Sequence, residues 1–328
     1  VSAKQKQHRI DFSRYTLDQL EKLGGWTSAN CTRPQDKVAW IDVDEKWFVT
    51  LCVKGRMWHI DADDFKFAPQ LCVKHKNHIP KIMMLAAVGT PYSGLLRGRG
   101  SGKVGIWRCV KTKIRKKGGW ARGDMKKGRV SKVWLKRGDK QRVDATIDCA
   151  LFKKMMLDDV WPAVVAQYGG IVGTVVVQMD NASPHVGKGM VDRLEKAFAR
   201  KKREKTKGIH APVSEEWLIP DIVVTTQPAQ SPDTNICDLA FFSASQAAVQ
   251  KRRREQGHAF DVDKLEDDVE KVFNQYPNEK LRAMWDTKAK VLQKIVHAEG
   301  GYNYNLHGPV MTAHRKGALT WDFPTYGK

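Results

Sequence analysis

Val172–Asp180 reads VGTVVVQMD. A β-branched run closed by a carboxylate predicts a strand buried along its length that reaches water at its last residue. Lys37–Asp44 (KVAWIDVD) alternates apolar and polar residues and also ends on an aspartate, which predicts a second strand. Trp47–Val53 and Arg56–Ile60 continue with strand-rich residues across a Lys54-Gly55 turn. Ile82–Val88 (IMMLAAV) is a continuous apolar run, Gly105–Val110 reads as its neighbour, and Ile222–Thr226 as a further buried strand. Helices are predicted over Ala145–Tyr168, re-angled at Pro162, then Met190–Arg203, and Asp238–Arg254 after a Ser231-Pro232-Asp233 turn. Val262–Gln275 and Glu279–Ala298 carry apolar residues at helical spacing (Val262, Leu265, Val269, Val272; Leu281, Trp285, Leu292, Ile295), which are packing faces. Strands first, then strand and helix in alternation, give an α/β domain with a mixed sheet.

Charge points to the partner. The 328 residues hold 57 Lys and Arg against 36 Asp and Glu, a net +21. An excess of that size favours a polyanion, because each phosphate neutralised releases a counterion. No apolar span is long enough for a membrane, so nucleic acid is the better match. The six cysteines (Cys31, Cys52, Cys72, Cys109, Cys149, Cys237) form no CxxC pair or disulfide framework, which reads as a reduced, intracellular protein. Cys72, His75 and His78, with Cys52 and His59, do not follow a standard zinc spacing. The glycines over Gly98–Gly105 neither follow a strand nor open a helix, so no dinucleotide site is expected.

Residues 111–142 hold fourteen Lys or Arg against two acids, with Gly118-Gly119, Gly123, Gly128 and Gly138 interspersed. This reads as a flexible basic insertion. Trp120 and Trp134 lie among the cations, and aromatic rings between cations suit stacking and backbone contact with DNA. Lys111, Lys113, Arg115, Lys116, Lys117, Trp120, Arg122, Lys126, Lys127 and Arg129 are the candidate DNA contacts. A second basic patch lies near Arg200–Lys207, and Lys251-Arg252-Arg253-Arg254 resembles a nuclear-localisation run or a charge cluster at a helix end. Residues 1–35 are polar and basic, helical only around Thr16–Leu23, and read as a linker from a missing N-terminal region of a longer protein. The tail from Gly300 reads as extended.

Three carboxylates stand at the ends of predicted core elements. Asp44 closes the first strand, Asp180 closes VVVQMD, and Asp238 opens a helix in SPDTNICDLAFF. Neighbouring strand ends in an α/β sheet converge on one edge, where a helix can add a third ligand. Hard divalent cations take such oxygen donors, and two ions can hold both oxygens of an in-line phosphoryl displacement. Asp42 lies two residues before Asp44, on the same strand face, and would reach the site if the strand ended earlier.

DEKWF at Asp44–Phe48, DNASPH at Asp180–His185 and QPAQSPDTNICDLAFF at Gln227–Phe242 resemble the three signature blocks of mariner-like transposases. The last block is closest to the plant-type branch. KIMMLAAVGTP (Lys81–Pro91) and GKVGIW (Gly102–Trp107) resemble that branch between the blocks, so the likeness spans roughly residues 36–255. It implies a ribonuclease H-like fold: α/β, a mixed five-stranded sheet flanked by helices, here with the basic insertion and a C-terminal helical extension over 256–328. It implies Asp44, Asp180 and Asp238 as the DDD site for Mg²⁺ or Mn²⁺, with two ions, and Asn181 and His185 as supporting residues. It also implies a homodimer that joins terminal inverted repeats of double-stranded DNA and inserts them at TA in the nucleus. Fifty-seven residues separate Asp180 from Asp238, more than the family's usual spacing. The surplus is placed in a loop over Lys201–Trp217, since loops absorb insertions cheaply. The family's helix-turn-helix units have no counterpart before Lys37. The rival readings are an inactive or domesticated DNA-binding protein and another ribonuclease H-like nuclease.

Overall fold

A computed structural model describes residues 2–22, 36–50, 79–92, 99–126, 129–187, 189–207, 219–256 and 264–304. Its centre is β1 (Val38–Val49), which is buried from Ala39 through Asp44. β2 (Lys81–Gly89) runs antiparallel to it, and β3 (Lys103–Arg108) pairs with β2. Between β3 and the next strand of this sheet lie β4 (Val110–Ile114), β5 (Gly119–Lys126), β6 (Arg129–Leu135) and β7 (Lys140–Asp144). β8 (Thr174–Met179) pairs parallel with β1, and β9 (Asp221–Thr226) pairs parallel with β8. The order is therefore β3-β2-β1-β8-β9, a mixed sheet as the residues predict, with the five strands that the resemblance implies.

Alternation along the strands sends side chains to two faces, and helices cover each. Trp40, Phe48, Met84, Ala86 and Val176 face one cluster. It is filled by α1 (Ala3–Lys22), a π turn (Cys237–Phe241), α6 (Phe242–Glu255), α7 (Leu265–Asn274) and α8 (Asn278–His297). Ile41, Val43, Leu85, Val175 and Val177 face the other. There the cover is α2 (Cys149–Met155), a π turn (Met156–Val160), α3 (Trp161–Tyr168) and α5 (Met190–Thr206). α4 (Ser183–Val186) is a single turn after β8. Each large apolar side chain so enclosed contributes about 2 kcal/mol. Trp285 of α8 also donates its indole N–H to the Gly89 carbonyl at 2.8 Å, so this ring is satisfied at both its apolar and polar ends. No helix among the described residues is long and apolar enough to cross a membrane.

Several expectations need correction. β1 does not stop at Asp44 but continues to Val49, paired with β2 as far as Val49 opposite Lys81. β9 is not buried: it is the sheet's edge, and Val223 is 40% exposed. The helical backbone runs on without a break from α2 through the π turn Met156–Val160 into α3, and Pro162 follows directly on that irregular turn. The helix expected from Ala145 begins at Cys149, with Asp148 accepting the Leu151 N–H at 2.9 Å as its cap.

α1 is a 20-residue helix rather than a short stretch, and it packs into the core instead of leading in as a linker. Its buried face is Arg9, Phe12, Ser13, Thr16, Leu17 and Leu20, at helical spacing but half polar, so hydrophobic periodicity hides it. The basic insertion is folded too. β4 pairs with β7, and β5 pairs with β6 inside them. Lys201–Thr206 belongs to α5 rather than to a loop, and 208–218 lie outside the described residues. So do Cys52, His59, Cys72, His75 and His78, the tail from residue 305, and Val53 and Arg56–Ile60 of the early strands. Within Lys251–Arg254, Arg253 is buried on Asp268 of α7 at 2.8 Å and Arg252 reaches the same carboxylate at 3.2 Å. Half of that run thus serves the fold.

Candidate active site

Strand register brings the first two aspartates together. Asp42 lies opposite Gln178 in the parallel β1–β8 ladder. Two residues on, at the same offset, Asp44 and Asp180 leave adjacent strands toward one edge, strands lying about 4.8 Å apart. Asp238 arrives from a different direction. It stands in the π turn Cys237–Phe241 that opens α6, a kind of irregularity that recurs at functional sites. All three sequence-predicted aspartates therefore meet at one corner of the sheet.

Their electrostatics confirm the crowding. Burial, then the charges of Asp238, Glu45 and Asp180, push Asp44 up to about 8. Burial likewise raises Asp238, which is held partly in check by a hydrogen bond with Asp44 and by the charge of Lys46. Crowding of these carboxylates thus disfavours the charged form of both Asp44 and Asp238. Asp180 behaves differently. Burial opposes its charge, but His185 and the Ala182 N–H (2.8 Å) outweigh that and hold it below the ordinary range.

His185 is the hinge of this asymmetry. It is buried, not a surface histidine, and its ring packs 4.1 Å from Phe152 of α2. Nδ1 meets Asp180 Oδ1, and Nε2 meets Glu45 Oε1 at 2.8 Å. Burial alone would lower its pKa; the two carboxylates prevail and raise it to about 10. Asn181 has a positioning role, its side-chain N–H donating to the Gln227 carbonyl at 2.7 Å and tying the end of β8 to the end of β9. Asp42 does not reach the site. It is fully buried against Lys288 of α8, at 2.7 and 2.6 Å.

Among the described residues no three side chains are gathered as a ready cage for a metal ion. Asp44 and Asp238 face each other, while one Asp180 oxygen is taken by His185 and the Ala182 amide. The donor set nevertheless suits a hard divalent cation: crowded carboxylate oxygens are the donors such an ion takes, and a positive charge between them relieves their repulsion. Glu45 is the residue that sequence reading missed. Its signal lay inside DEKWF, one position after Asp44, on the opposite strand face.

The predicted DNA contacts divide into groups. Lys113, Lys116 and Lys117 are exposed, and Trp120 and Trp134 are 66% and 53% exposed. Lys111 is paired with Asp148, the cap of α2, and Arg115 is held by Gln141 at 2.7 Å and by the Lys117 carbonyl at 3.2 Å. Arg122 lies on β5 opposite Lys132, and Lys126 pairs in register with Arg129 at the hairpin end. Lys127 lies outside the described residues.

No protein-family model matches this chain, and no curated protein matches it. Among solved structures it is similar to the Mos1 mariner paired-end complex with Mn, at 14% identity and a TM-score of 0.51, covering 92% of this chain and 64% of that one. A pre-cleavage Mos1 transpososome and a Mos1 transposase paired-end complex with the left transposon end each give 14% identity, a TM-score of 0.48, and coverage of 93% and 65%. The chain thus spans less than two thirds of the length of the Mos1 chains it matches. What it shares with the Mos1 mariner structure is the fold: a mixed sheet flanked by helices.

Proposed function

We propose that this chain is the catalytic region of a mariner-like DNA transposase, of the plant-type branch, with a ribonuclease H-like fold and a DDD site. The observation that carries the reading is the corner where Asp44 of β1 and Asp238 of the π turn face each other beside Asp180 at the end of β8. Support comes from the motif blocks around those aspartates and from the fold shared with a Mos1 mariner paired-end complex with Mn. Asp44, Asp180 and Asp238 would hold Mg²⁺ or Mn²⁺, two ions in all. Bound there, the cations would supply charge neutralisation and an acidified water.

The chain's own residues do the rest. His185, fixed between Glu45 and Asp180, keeps Asp180 ionised and oriented. The exposed lysines and tryptophans of β4–β7 hold the duplex backbone. In the hydrolytic step a water oxygen bonds to phosphorus at the transposon end, the P–O3′ bond breaks, and the 3′-oxygen leaves as a hydroxyl. In the second step that hydroxyl bonds to a target phosphorus at TA, expelling the target's own 3′-oxygen. No covalent enzyme intermediate is required, since positioning and charge stabilisation supply the acceleration. A homodimer working in the nucleus would present two ends to one target.

The test is divalent-metal nicking of uncut and pre-cut terminal-repeat duplexes by the wild type and Asp180→Ala. The variant should lose on the order of 10³-fold in rate. Equal rates in the two proteins would overturn the reading. The engagement of an Asp180 oxygen by His185 favours one alternative: a DNA-binding descendant without activity. Duplex binding by a wild type that does not nick would select it.

A further inference from the structure

Asp44 and Asp180 extend from paired strands, so sheet register fixes them. Asp238 has no such support, because it follows the irregular connection Gln227–Ile236. Two buried cations from outside the motif blocks hold that connection. Lys288 of α8 donates to both oxygens of Asp42 and to Gln178 Oε1 at 2.9 Å. Asp42 Oδ2 in turn accepts the Ile236 N–H at 2.6 Å, and the Asp42 carbonyl accepts from Cys237 Sγ at 3.7 Å. Gln178 Nε2 donates to the Thr234 carbonyl at 2.9 Å. The ammonium thus orders a carboxylate and an amide that grip residues 234–237, immediately before Asp238.

Arg9 of α1 grips the same connection further back. Its guanidinium is fully buried and meets Asp233 in a two-pronged contact at 3.0 and 2.7 Å, with Ser231 Oγ at 2.7 Å. The Gly300 carbonyl accepts its Nε–H at 3.0 Å, and the Tyr304 hydroxyl closes on Asp233 from the C-terminal side. Planar two-pronged pairing fixes direction as well as distance. Stability alone does not account for these charges. Buried ion pairs seldom outperform apolar residues of the same volume, and in some proteins their use is to select one arrangement among several.

We infer that Arg9 and Lys288 are positioning residues for Asp238: the terminal helices set the third carboxylate opposite Asp44 through Asp233 and Asp42. The inference rests on the proposed function in taking Asp238 as a metal-holding group. The variants are Arg9→Gln, the milder Arg9→Lys, and Asp42→Leu combined with Lys288→Met, which strands no buried charge. Hydrogen exchange of the whole chain is the first readout. In each variant that folds, amides of 234–241 should exchange at least tenfold faster while those of β1 and β8 are unchanged. Unchanged protection of 234–241, or an equal loss throughout, overturns the inference, and this readout needs no catalytic activity. Nicking with Mn²⁺ is the second. Rate per folded molecule should fall tenfold or more for Arg9→Gln, less for Arg9→Lys, with the duplex Kd within twofold of wild type. Wild-type rates in folded Arg9→Gln overturn the inference as well. A wild type that does not nick removes the proposed function instead, and exchange alone then decides the positioning role.

Discussion

The aspartate corner and the basic double hairpin are the two regions that the charge of this chain would bring to DNA, and they are built on opposite principles. The corner is assembled from segments far apart in sequence: Asp44, Asp180 and Asp238 stand on β1, after β8 and in the π turn before α6. Each is fixed by pairing or by a buried polar contact, and their charges are forced together. The hairpin is local. β5 and β6 are nearly consecutive, and Trp120 lies directly opposite Trp134 with ring centroids 5.4 Å apart, edge to face, in solvent. One region accepts unfavourable electrostatics inside a rigid frame; the other leaves large apolar surface in water. Both depart from what folding alone would choose. They differ in what substitution should cost.

The largest effect is expected at the corner, where activity and stability should move in opposite directions. Asp44→Asn removes an ionisable carboxyl that burial and three neighbouring carboxylates already push up to about 8. Nicking should fall about 10³-fold, while stability rises by about 1 kcal/mol as a crowded carboxyl is relieved. Urea unfolding should show this as a higher midpoint with an unchanged slope. A loss of stability together with full activity would show the corner to be a structural cluster, and the contrast with the hairpin would collapse.

Much of this frame is legible in the sequence, for physical reasons that are specific to each element. β8 could be read because it is buried on both faces, so that its three consecutive valines, Val175–Val177, need no polar alternation. α7 and α8 could be read because they are amphipathic. α1 was not legible as a core helix, since Arg9, Ser13 and Thr16 occupy its inward face and make no apolar stripe. β4–β7 were hidden by their own composition: lysines, arginines and glycines interrupt the apolar alternation by which a strand is read. The aspartates were legible through their motif blocks, and DEKWF favours Asp44 over Asp42, but strand periodicity alone could not sort the two. Two carboxylates on one strand face differ only in whether Lys288, 246 positions away, arrives to neutralise the first. Glu45 escaped for the same reason, because its role depends on His185 from another segment.

At the hairpin the comparison predicts the reverse of the corner, loss of binding with no change in fold. Trp120→Ala and Trp134→Ala expose no core, because both rings are already largely in water. Unfolding should stay within about 0.5 kcal/mol of wild type, whereas duplex affinity drops by about 1 kcal/mol or more if the rings carry base or sugar contact. Unfolding by more than that margin would instead make the pair a structural staple.

The smallest effect distinguishes cations within the hairpin. Lys113, Lys116 and Lys117 are exposed, but Lys111 is spent on Asp148 at the start of α2. Replacing a lysine that touches a phosphate by glutamine should flatten the dependence of log affinity on log salt by about 0.9. Lys113→Gln should therefore change the slope, as should Lys116→Gln and Lys117→Gln, while Lys111→Gln should change it least and instead loosen the cap of α2. Fluorescence anisotropy of a labelled duplex between low and moderate salt reads the slopes directly. If Lys111→Gln gave the largest change, its pairing with Asp148 would have to open on DNA. The hairpin would then be a surface that rearranges on binding, and its local, preformed character, the point of contrast with the corner, would be lost.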